Sequence, residues 1–265
     1  MSQRGRQRLA EIAAPLIAGA LFLAAWQAVV QWQGIPPYIL PSPVAIAAAL
    51  WHDGPSLLGS LLVTLRITLA ALIAAVVLGG ALAILFAQSR LLEISLFPYA
   101  VILQVTPVVA IAPLIIIWVN DTFLALLVCA WIVAFFPIVA NTTLGLNSAD
   151  RNLVELFRLY GASRWQTLRH LRLPAALPYF LAGVRISGGL ALIGAVVAEF
   201  VAGTGGAETG LAYRILEAGY RLQIPRLFAA LLLLSASGIA IFALLSWLTR
   251  RLIGHWHESV LARDD

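Results

Sequence analysis

The most informative residues of the chain lie in the segment 150–178, which reads DRNLVELFRLYGASRWQTLRHLRLPAALP. Either Asp150 or Asn152 can cap a first helix there, because its side chain can accept a hydrogen bond from the backbone N–H groups of the first turn. Gly161 can supply the left-handed conformation that ends this helix. Four apolar residues recur at the i, i+3, i+4 and i+7 spacing of one helix face: Leu153, Leu156, Phe157 and Tyr160.

A second helix is predicted to begin at Ser163 and to end before Pro174, with Gln166 at the spacing of a capping box. Two capped helices joined by a glycine turn form a rigid hairpin over 150–174, which a partner protein can grip and push. DNA recognition also uses two such helices, but the position between apolar stretches disfavours it. The apolar side of the second helix carries Trp165, Leu168 and Leu171, and its polar side carries Arg164, Arg169, His170 and Arg172.

Three ionisable side chains fall inside apolar stretches, where a charge is costly and tends to face a cavity or a partner. Arg66 and Glu199 each lie near the external end of a predicted membrane span, 60–87 and 177–201, so they can form an ion pair or reach the membrane interface separately. Arg185 can attract an anion, snorkel or hydrogen-bond to another helix. Thr106 and Asn141 can line a pathway or join helices. These five residues are the candidates for a translocation pathway or gate.

Enzymatic chemistry is not indicated by the sequence. The 17 residues counted as Lys or Arg are all Arg, which excludes a phosphate-binding loop with its lysine. Neither a His-Glu-x-x-His metal motif nor a Gly-x-Ser-x-Gly nucleophile elbow occurs. The lone Cys129 is interpreted as a small buried hydrophobe. The chain is therefore predicted to be no enzyme and to bind no metal. The histidines form no convincing site, and two of them flank Trp256 in a predicted interfacial anchor: His52, His170, His255 and His257.

Composition places the chain in a membrane. Of its 265 residues, 62% are apolar and only 11% are charged, whereas soluble domains carry about 25% charged residues. Apolar windows of about 20 residues predict an all-α polytopic membrane protein with about six transmembrane helices in a single domain, 1–265. The third span should be kinked or split by Pro98, Pro107 and Pro113. The predicted spans are 12–32, 60–87, 91–119, 122–145, 177–201 and 227–249.

The distribution of arginines assigns a side to each connection, because Arg-rich loops remain in the cytoplasm. The N-terminus, the turn at Arg90, the loop 146–176 and the C-terminal tail are rich in Arg and are predicted to be cytoplasmic. The loops 33–59 and 202–226 then lie outside. The second of these fits least well, because its basic residues are only partly offset by acids: Arg214, Arg221 and Arg226 against Glu208 and Glu217.

The hairpin resembles the cytoplasmic signature of binding-protein-dependent ABC importer permeases, which is E-A-A, three residues, G, nine residues and I-x-L-P. Leu171 stands in place of the isoleucine, and Leu156 and Phe157 replace the two alanines. The matching residues are Glu155, Gly161, Ala162, Leu173 and Pro174. Other stretches are similar to the subgroup that serves nitrate, sulfonate, taurine and bicarbonate uptake: ILPSP at 39–43, TPVVAIAPLIIIW at 106–118, FFPIVANTTLGL at 135–146, GVRISGGLALIGAVVAEF at 183–200 and IPRLFAALLLL at 224–234.

This resemblance implies the fold of a type I ABC importer permease in a bacterial inner membrane, with both termini in the cytoplasm. It implies partnership with a second copy of the chain, two cytoplasmic ABC ATPase subunits, an external substrate-binding protein or lipoprotein, and the lipid bilayer, but with no nucleic acid. The chain itself then needs no cofactor, since ATP and Mg bind the partner ATPase. The hairpin becomes the element that docks on the ATPase, through Glu155, Arg158, Gly161, Ala162, Ser163, Leu173 and Pro174.

The resemblance implies a small anion such as nitrate, sulfonate or taurine as substrate. Relatives of this type also import pyrimidines or riboflavin-like vitamins, and selectivity is set largely by the binding protein. An ion-coupled secondary transporter is the alternative from another class. It would need its own coupling acids near the membrane midplane, and Glu199 is the one acid well inside a predicted span after the first.

Overall fold

The structure, a computed structural model, describes the backbone of residues 3–203 and 209–253, and the side chains within those ranges from residue 13 onward. The described part of the chain is helical apart from short connections, which confirms the predicted all-α class. A π-helical stretch, Leu168–Arg172, joins α7 to α8 without a break. The helices are α1 Gln3–Trp32, α2 Pro43–Gln88, α3 Arg90–Val105, α4 Val108–Trp118, α5 Thr122–Asn147, α6 Arg151–Leu159, α7 Arg164–Thr167, α8 Leu173–Ala202, α9 Leu211–Tyr220 and α10 Ile224–Ile253.

Within the described residues, five helical stretches are long and apolar enough to cross a bilayer: α1, α2, α5, α10 and the continuous Arg164–Ala202. The bent pair α3 and α4, with an angle of 100° between its two halves, is a sixth candidate when both halves are counted as one span. The break precedes α4 at Pro107, whereas Pro98 and Pro113 lie inside α3 and α4. The five or six candidate spans agree with the prediction of about six transmembrane helices, and the predicted kink or split of the third one is present between α3 and α4.

Two helix boundaries differ from the prediction. Helix α2 begins at Pro43, so most of the predicted loop 33–59 is helical; hydropathy windows detect the apolar part of a helix and miss a more polar extension. The prediction that the second hairpin helix ends before Pro174 is wrong. The Leu173 N–H bonds to the Leu168 carbonyl five residues back, and this π-type register lets the helix continue through a proline that has no N–H to donate.

The described residues divide into two units. One contains the residues up to Ser60 together with Arg214–Leu233, and the other contains Leu61–Tyr213 and the residues from Leu234 onward. In the first unit, the rings of Trp26 and Phe228 lie 6.1 Å apart. Helix α1 leaves large apolar side chains exposed, which a bilayer would cover: Leu16, Ile17, Leu21 and Phe22. The expectation of one permease domain over 1–265 stays a prediction.

The second unit is built around α5, which packs most extensively against α8. Buried residues of α5 form continuous clusters with residues of α2, α4 and α8. Cys129 lies in the largest of these clusters and is fully buried, as expected for a small hydrophobe. The two helices are also joined by a hydrogen bond of 2.6 Å that the Ser187 hydroxyl donates to the Ala134 carbonyl.

Glycines let the backbones of α5 and α8 approach closely. A Cβ at Gly194 would lie 2.8 Å from the Ala130 Cα, and a Cβ at Gly183 would lie 2.9 Å from the Pro137 carbonyl oxygen. Gly145 faces Ala176 in the same way, with 2.9 Å to its Cα. In lipid, hydrophobic burial does not drive helices together, so close van der Waals packing at small residues supplies the attraction. The hairpin begins after α5 and continues into α8, so the packed helices α5 and α8 hold both of its ends.

We expect Gly194→Ala to lower the free energy of unfolding by about 1–3 kcal/mol, because the added methyl group meets backbone that cannot move aside. The measurement is thermal unfolding of the purified chain in detergent. Gly189→Ala is the matched control, since its Cβ meets no atom within 4 Å on the same helix. Equal unfolding temperatures for the two variants would contradict close packing at Gly194.

Candidate coupling hairpin and gate

The local signals of the hairpin take the predicted conformations. Asp150 caps α6 by accepting a hydrogen bond of 2.7 Å from the Asn152 N–H. Gly161 has φ +68°, the left-handed conformation predicted for the turn. The Ser163 hydroxyl accepts from the Gln166 N–H at 3.2 Å, and the Gln166 side chain accepts from the Ser163 N–H at 2.7 Å. The turn and the capping box are therefore confirmed.

The two helices of the hairpin differ in burial. Leu168 of the second helix is buried in a cluster with Ala83, Leu146 and Ala176, which anchors the hairpin. The first helix instead exposes large apolar side chains, and such exposure is typical of a surface that binds a partner. They include Leu153, Leu156, Leu159 and Tyr160, the last two at 84% exposure each.

The predicted coupling residues fall into two groups. Glu155 and Arg158 are exposed on α6, and Ala162 follows the turn, where its N–H bonds to the Phe157 carbonyl at 2.9 Å. With Gly161 and Ser163 these residues form the outer part of the hairpin. Leu173 and Pro174 lie apart from them at the start of α8, where they line an apolar cleft of 730 Å³ with Thr142, Arg169 and Phe180.

Glu199 is buried near the end of α8, where its partners hold the start of α9. Its Oε2 accepts a hydrogen bond of 3.0 Å from the Ala212 N–H, and the Thr64 side chain also bonds to the carboxyl group. The Thr64 hydroxyl accepts from the Leu211 N–H at 2.9 Å. A carboxylate at a helix N-terminus is favourable, since the first N–H groups lack partners within the helix. We call Glu199, Thr64, Gly210 and Ala212 the Glu199 cluster.

Gly210 and Thr64 are functional candidates that sequence reasoning missed. A Cβ at Gly210 would collide with the Glu199 carboxyl group, so a larger residue there would displace that group from its hydrogen bonds. Thr64 lies 147 residues from the backbone group that it binds. A local sequence pattern cannot predict a contact over that separation. The one available signal is that Thr64 lies on the same face of α2 as buried Thr68, one turn further on.

Arg66 does not belong to the Glu199 cluster. It is exposed in the middle of α2 and lines a small cleft of 180 Å³ with Asp121 and Thr122. The salt bridges within the described part of the chain do not include an Arg66–Glu199 pair. The structure therefore does not support an ion pair between Arg66 and Glu199, which occupy separate positions. Because α2 begins at Pro43, Arg66 lies in the middle of this helix and not near its end.

The other predicted pathway residues are dispersed. The Thr106 hydroxyl donates to the Ile102 carbonyl at 2.7 Å, and the Asn141 amide donates to the Pro137 carbonyl at 2.8 Å. Both donors are thus used within their own helices. Arg185 is exposed on α8, and its guanidinium lies 5.7 Å from the centre of the Phe242 ring, a cation–π contact that leaves its hydrogen-bond donors accessible.

The basic residues of the 202–226 segment are paired with acids in the first unit. Glu217 accepts from Arg214 at 3.0 Å and from Arg221 at 3.0 Å, and the bond from Arg214 is the main cause that lowers the pKa of Glu217. Arg226 lies 3.9 Å from Asp53, close enough for charge attraction. Each of the three arginines therefore has an acidic side chain nearby, and the external position of this segment stays a prediction. Glu208, Arg263, His255, Trp256 and His257 lie outside the described residues.

Known proteins resemble this chain over most of its length. Residues 71–254 match the family described as binding-protein-dependent transport system inner membrane component. The chain is 37% identical over 241 residues to the riboflavin transport system permease protein RibX of Chloroflexus aurantiacus, covering 90% of this chain and 88% of that protein. It is 30% identical over 248 residues to the putative aliphatic sulfonates transport permease protein SsuC of Bacillus subtilis, covering 92% and 87%.

A solved structure supports the same assignment at the level of the fold. It is a crystal structure of an amino acid ABC transporter with histidines, with a TM-score of 0.63 over 77% of this chain and 97% of that chain, at 19% identity. The family match confirms the resemblance predicted from the hairpin motif and disfavours an ion-coupled secondary transporter. The chain belongs to the family of binding-protein-dependent transport inner membrane components and is a multi-pass ABC importer permease.

Proposed function

We propose that this permease forms a substrate pathway with a second copy of itself and that a separate ATPase drives it through the hairpin 150–174. The observation that carries the proposal is the combination of an exposed apolar face on α6 with a backbone that continues from α7 into α8. The exposed face offers a docking surface. The continuous helix provides the path by which movement of the hairpin reaches the membrane.

The arrangement of the partners follows from this role. ATP and Mg would bind the ATPase, since this chain has no lysine for a phosphate-binding loop. The hairpin and both termini would lie in the cytoplasm of a bacterial cell, and a substrate-binding protein or lipoprotein would dock on the opposite side of the inner membrane. The whole chain, 1–265, would act as one permease domain.

The Glu199 cluster is proposed as the gate at the far end of α8. It ties α8, through Glu199, to α2 at Thr64 and to the start of α9 at Leu211 and Ala212. A shift of α8 along or about its axis would strain these hydrogen bonds. The cluster can therefore hold one conformation until the hairpin is moved, which is the behaviour that a gate needs.

A small organic or inorganic anion is the proposed substrate, because Arg185 presents an exposed positive charge on a membrane-spanning helix without an acidic partner among the described residues. Such a charge is costly in lipid and is best explained by a water-filled, anion-attracting path. A riboflavin-like vitamin is the second candidate, since the riboflavin permease is the more similar of the two relatives, at 37% identity against 30%.

We expect Gly161→Pro to abolish co-elution with a co-expressed ATPase. Proline cannot adopt φ +68°, and it removes the N–H that Gly161 donates to the Arg158 carbonyl at 3.0 Å. The measurement is the ratio of the two subunits after affinity purification. Gly203→Pro is the matched control, because Gly203 also has φ +56° and donates to the Glu199 carbonyl at 3.1 Å, but at the other end of α8. Unchanged co-elution of Gly161→Pro would contradict docking through the hairpin.

We expect Arg185→Gln to raise the KM for a sulfonate substrate about tenfold or more, because a charge-assisted hydrogen bond is lost. Uptake into proteoliposomes with the complete importer gives this value. Arg251→Gln serves as control, since Arg251 makes the same cation–π contact, 5.7 Å from the Trp247 ring, at the end of α10. Riboflavin uptake that is unaffected by Arg185→Gln, with no sulfonate uptake, would favour the second candidate.

We expect Thr64→Val and Glu199→Gln each to reduce transport and to reduce it less than additively in combination, since both remove parts of one hydrogen-bond network. Thr64→Val also leaves the Leu211 N–H buried without its acceptor, a cost of about 1–3 kcal/mol. Transport rate at matched expression and unfolding temperature are the measurements. Thr68→Val is the control, because that buried hydroxyl bonds to the Thr64 carbonyl within its own helix. Normal transport by Glu199→Gln would remove Glu199 from the gate.

A further inference from the structure

A polar pocket of 710 Å³ lies between the hairpin and the corner where α2 ends and α3 begins. Four arginines line it, and its lining residues include no acid. Arg90 belongs to the α2–α3 corner, whereas the other three belong to the hairpin: Arg158, Arg164 and Arg172. We call this the arginine pocket. It is separate from the exposed apolar face of α6 and from the Glu199 cluster.

The guanidinium groups of the arginine pocket are incompletely neutralised within the described residues. Arg90 forms an ion pair of 2.9 Å with Glu93, which lies outside the pocket lining, and its side chain is 76% exposed. Arg172 donates to the Ala87 carbonyl at 3.1 Å, a bond that orients the side chain without removing its charge. Arg158 and Arg164 are exposed and appear in none of the salt bridges of this part of the structure. Like charges that share one concave site repel one another unless an anion is present.

The geometry around the pocket suits a tetrahedral oxyanion. Arginine presents a planar fork of donors that matches the oxygens of a phosphate group. The pocket also contains Ser89 and Arg90, the cap and first residue of α3, a helix of 16 residues whose N-terminus favours negative charge. Ala87, Val154 and Leu168 add an apolar side. Charged donors next to apolar surface at the end of membrane helices are typical of sites for anionic headgroups.

We propose that the arginine pocket binds a phosphate group, carried either by the headgroup of an anionic lipid or by a soluble phosphate. The bound group joins Arg90 of the α2–α3 corner to Arg158, Arg164 and Arg172 of the hairpin. It therefore ties the base of the hairpin to the α2–α3 corner and restricts the movement of the hairpin. Arg158 and Ala162 of the pocket are also among the residues proposed to dock on an ATPase, but binding of a phosphate group can be measured on this chain without an ATPase.

The test uses the purified full chain in a neutral detergent and two kinds of probe. Native mass spectrometry measures the binding of phosphatidylglycerol, with phosphatidylcholine as the uncharged comparison. Thermal unfolding measures stabilisation by inorganic phosphate against chloride at the same ionic strength. Preference for phosphatidylglycerol alone assigns the site to a lipid headgroup, and stabilisation by inorganic phosphate assigns it to a soluble ion or ester. Either result supports the proposal.

The double variant Arg90→Gln with Arg164→Gln should weaken binding of the effective probe about 30-fold, since each arginine contributes roughly a factor of five near a charged headgroup. The matched control, Arg151→Gln with Arg169→Gln, removes the same charge from the hairpin region at residues that do not line this pocket. It should change binding less than about threefold. Arg90→Lys with Arg164→Lys keeps the charge and checks that folding is intact.

Two results would overturn the proposal. Equal weakening by the two glutamine double variants would mean general attraction to a basic surface. Absence of binding by both probes, together with loss of ATPase co-elution in Arg90→Gln with Arg164→Gln, would mean that the pocket receives a protein partner.

Discussion

Backbone contact between α5 and α8 depends on positions at which no larger side chain fits. Gly145, Gly183 and Gly194 each face backbone of the opposite helix at a distance that a Cβ would not allow. Because α5 enters the hairpin and α8 leaves it, this contact fixes the two points from which the hairpin projects. The exposed apolar face of α6 and the arginine pocket both owe their positions to it. Without close packing at these glycines, the hairpin would have no stable base.

Charged side chains are partnered differently in the hairpin and in the segment that follows the start of α9. Beside the hairpin, Arg158 and Arg164 lack acidic partners among the described residues, so the surface there attracts anions or an acidic protein. In the segment that holds α9, Glu217 forms ion pairs with both Arg214 and Arg221. A low pKa for Glu217 follows from those bonds, so the pairs persist to a pH below the usual range of a glutamate. The arginines beside the hairpin are therefore available to a partner of opposite charge, whereas those near Glu217 already have an acidic partner within the chain.

Local features of the fold were accessible from the sequence, and long-range ones were not. Asp150, Gly161 and Ser163 act through neighbours within a few residues, so their caps and turn could be predicted from spacing. The break at Pro107 follows from proline chemistry in the same way. The Thr64 contact with α9 joins residues 147 apart, and a single sequence contains no pattern that reports it. The extension of α2 to Pro43 was missed because hydropathy measures apolar length and not helix length.

The π-helical stretch Leu168–Arg172 keeps the second helix of the hairpin and α8 in one continuous helix. A flexible loop at this point would absorb rotation of the hairpin, whereas an unbroken helix carries torque. Helix α8 has 30 residues, which corresponds to a length of about 45 Å. Rotation imposed on the hairpin would therefore reach the distant end of α8 instead of being lost where that helix begins.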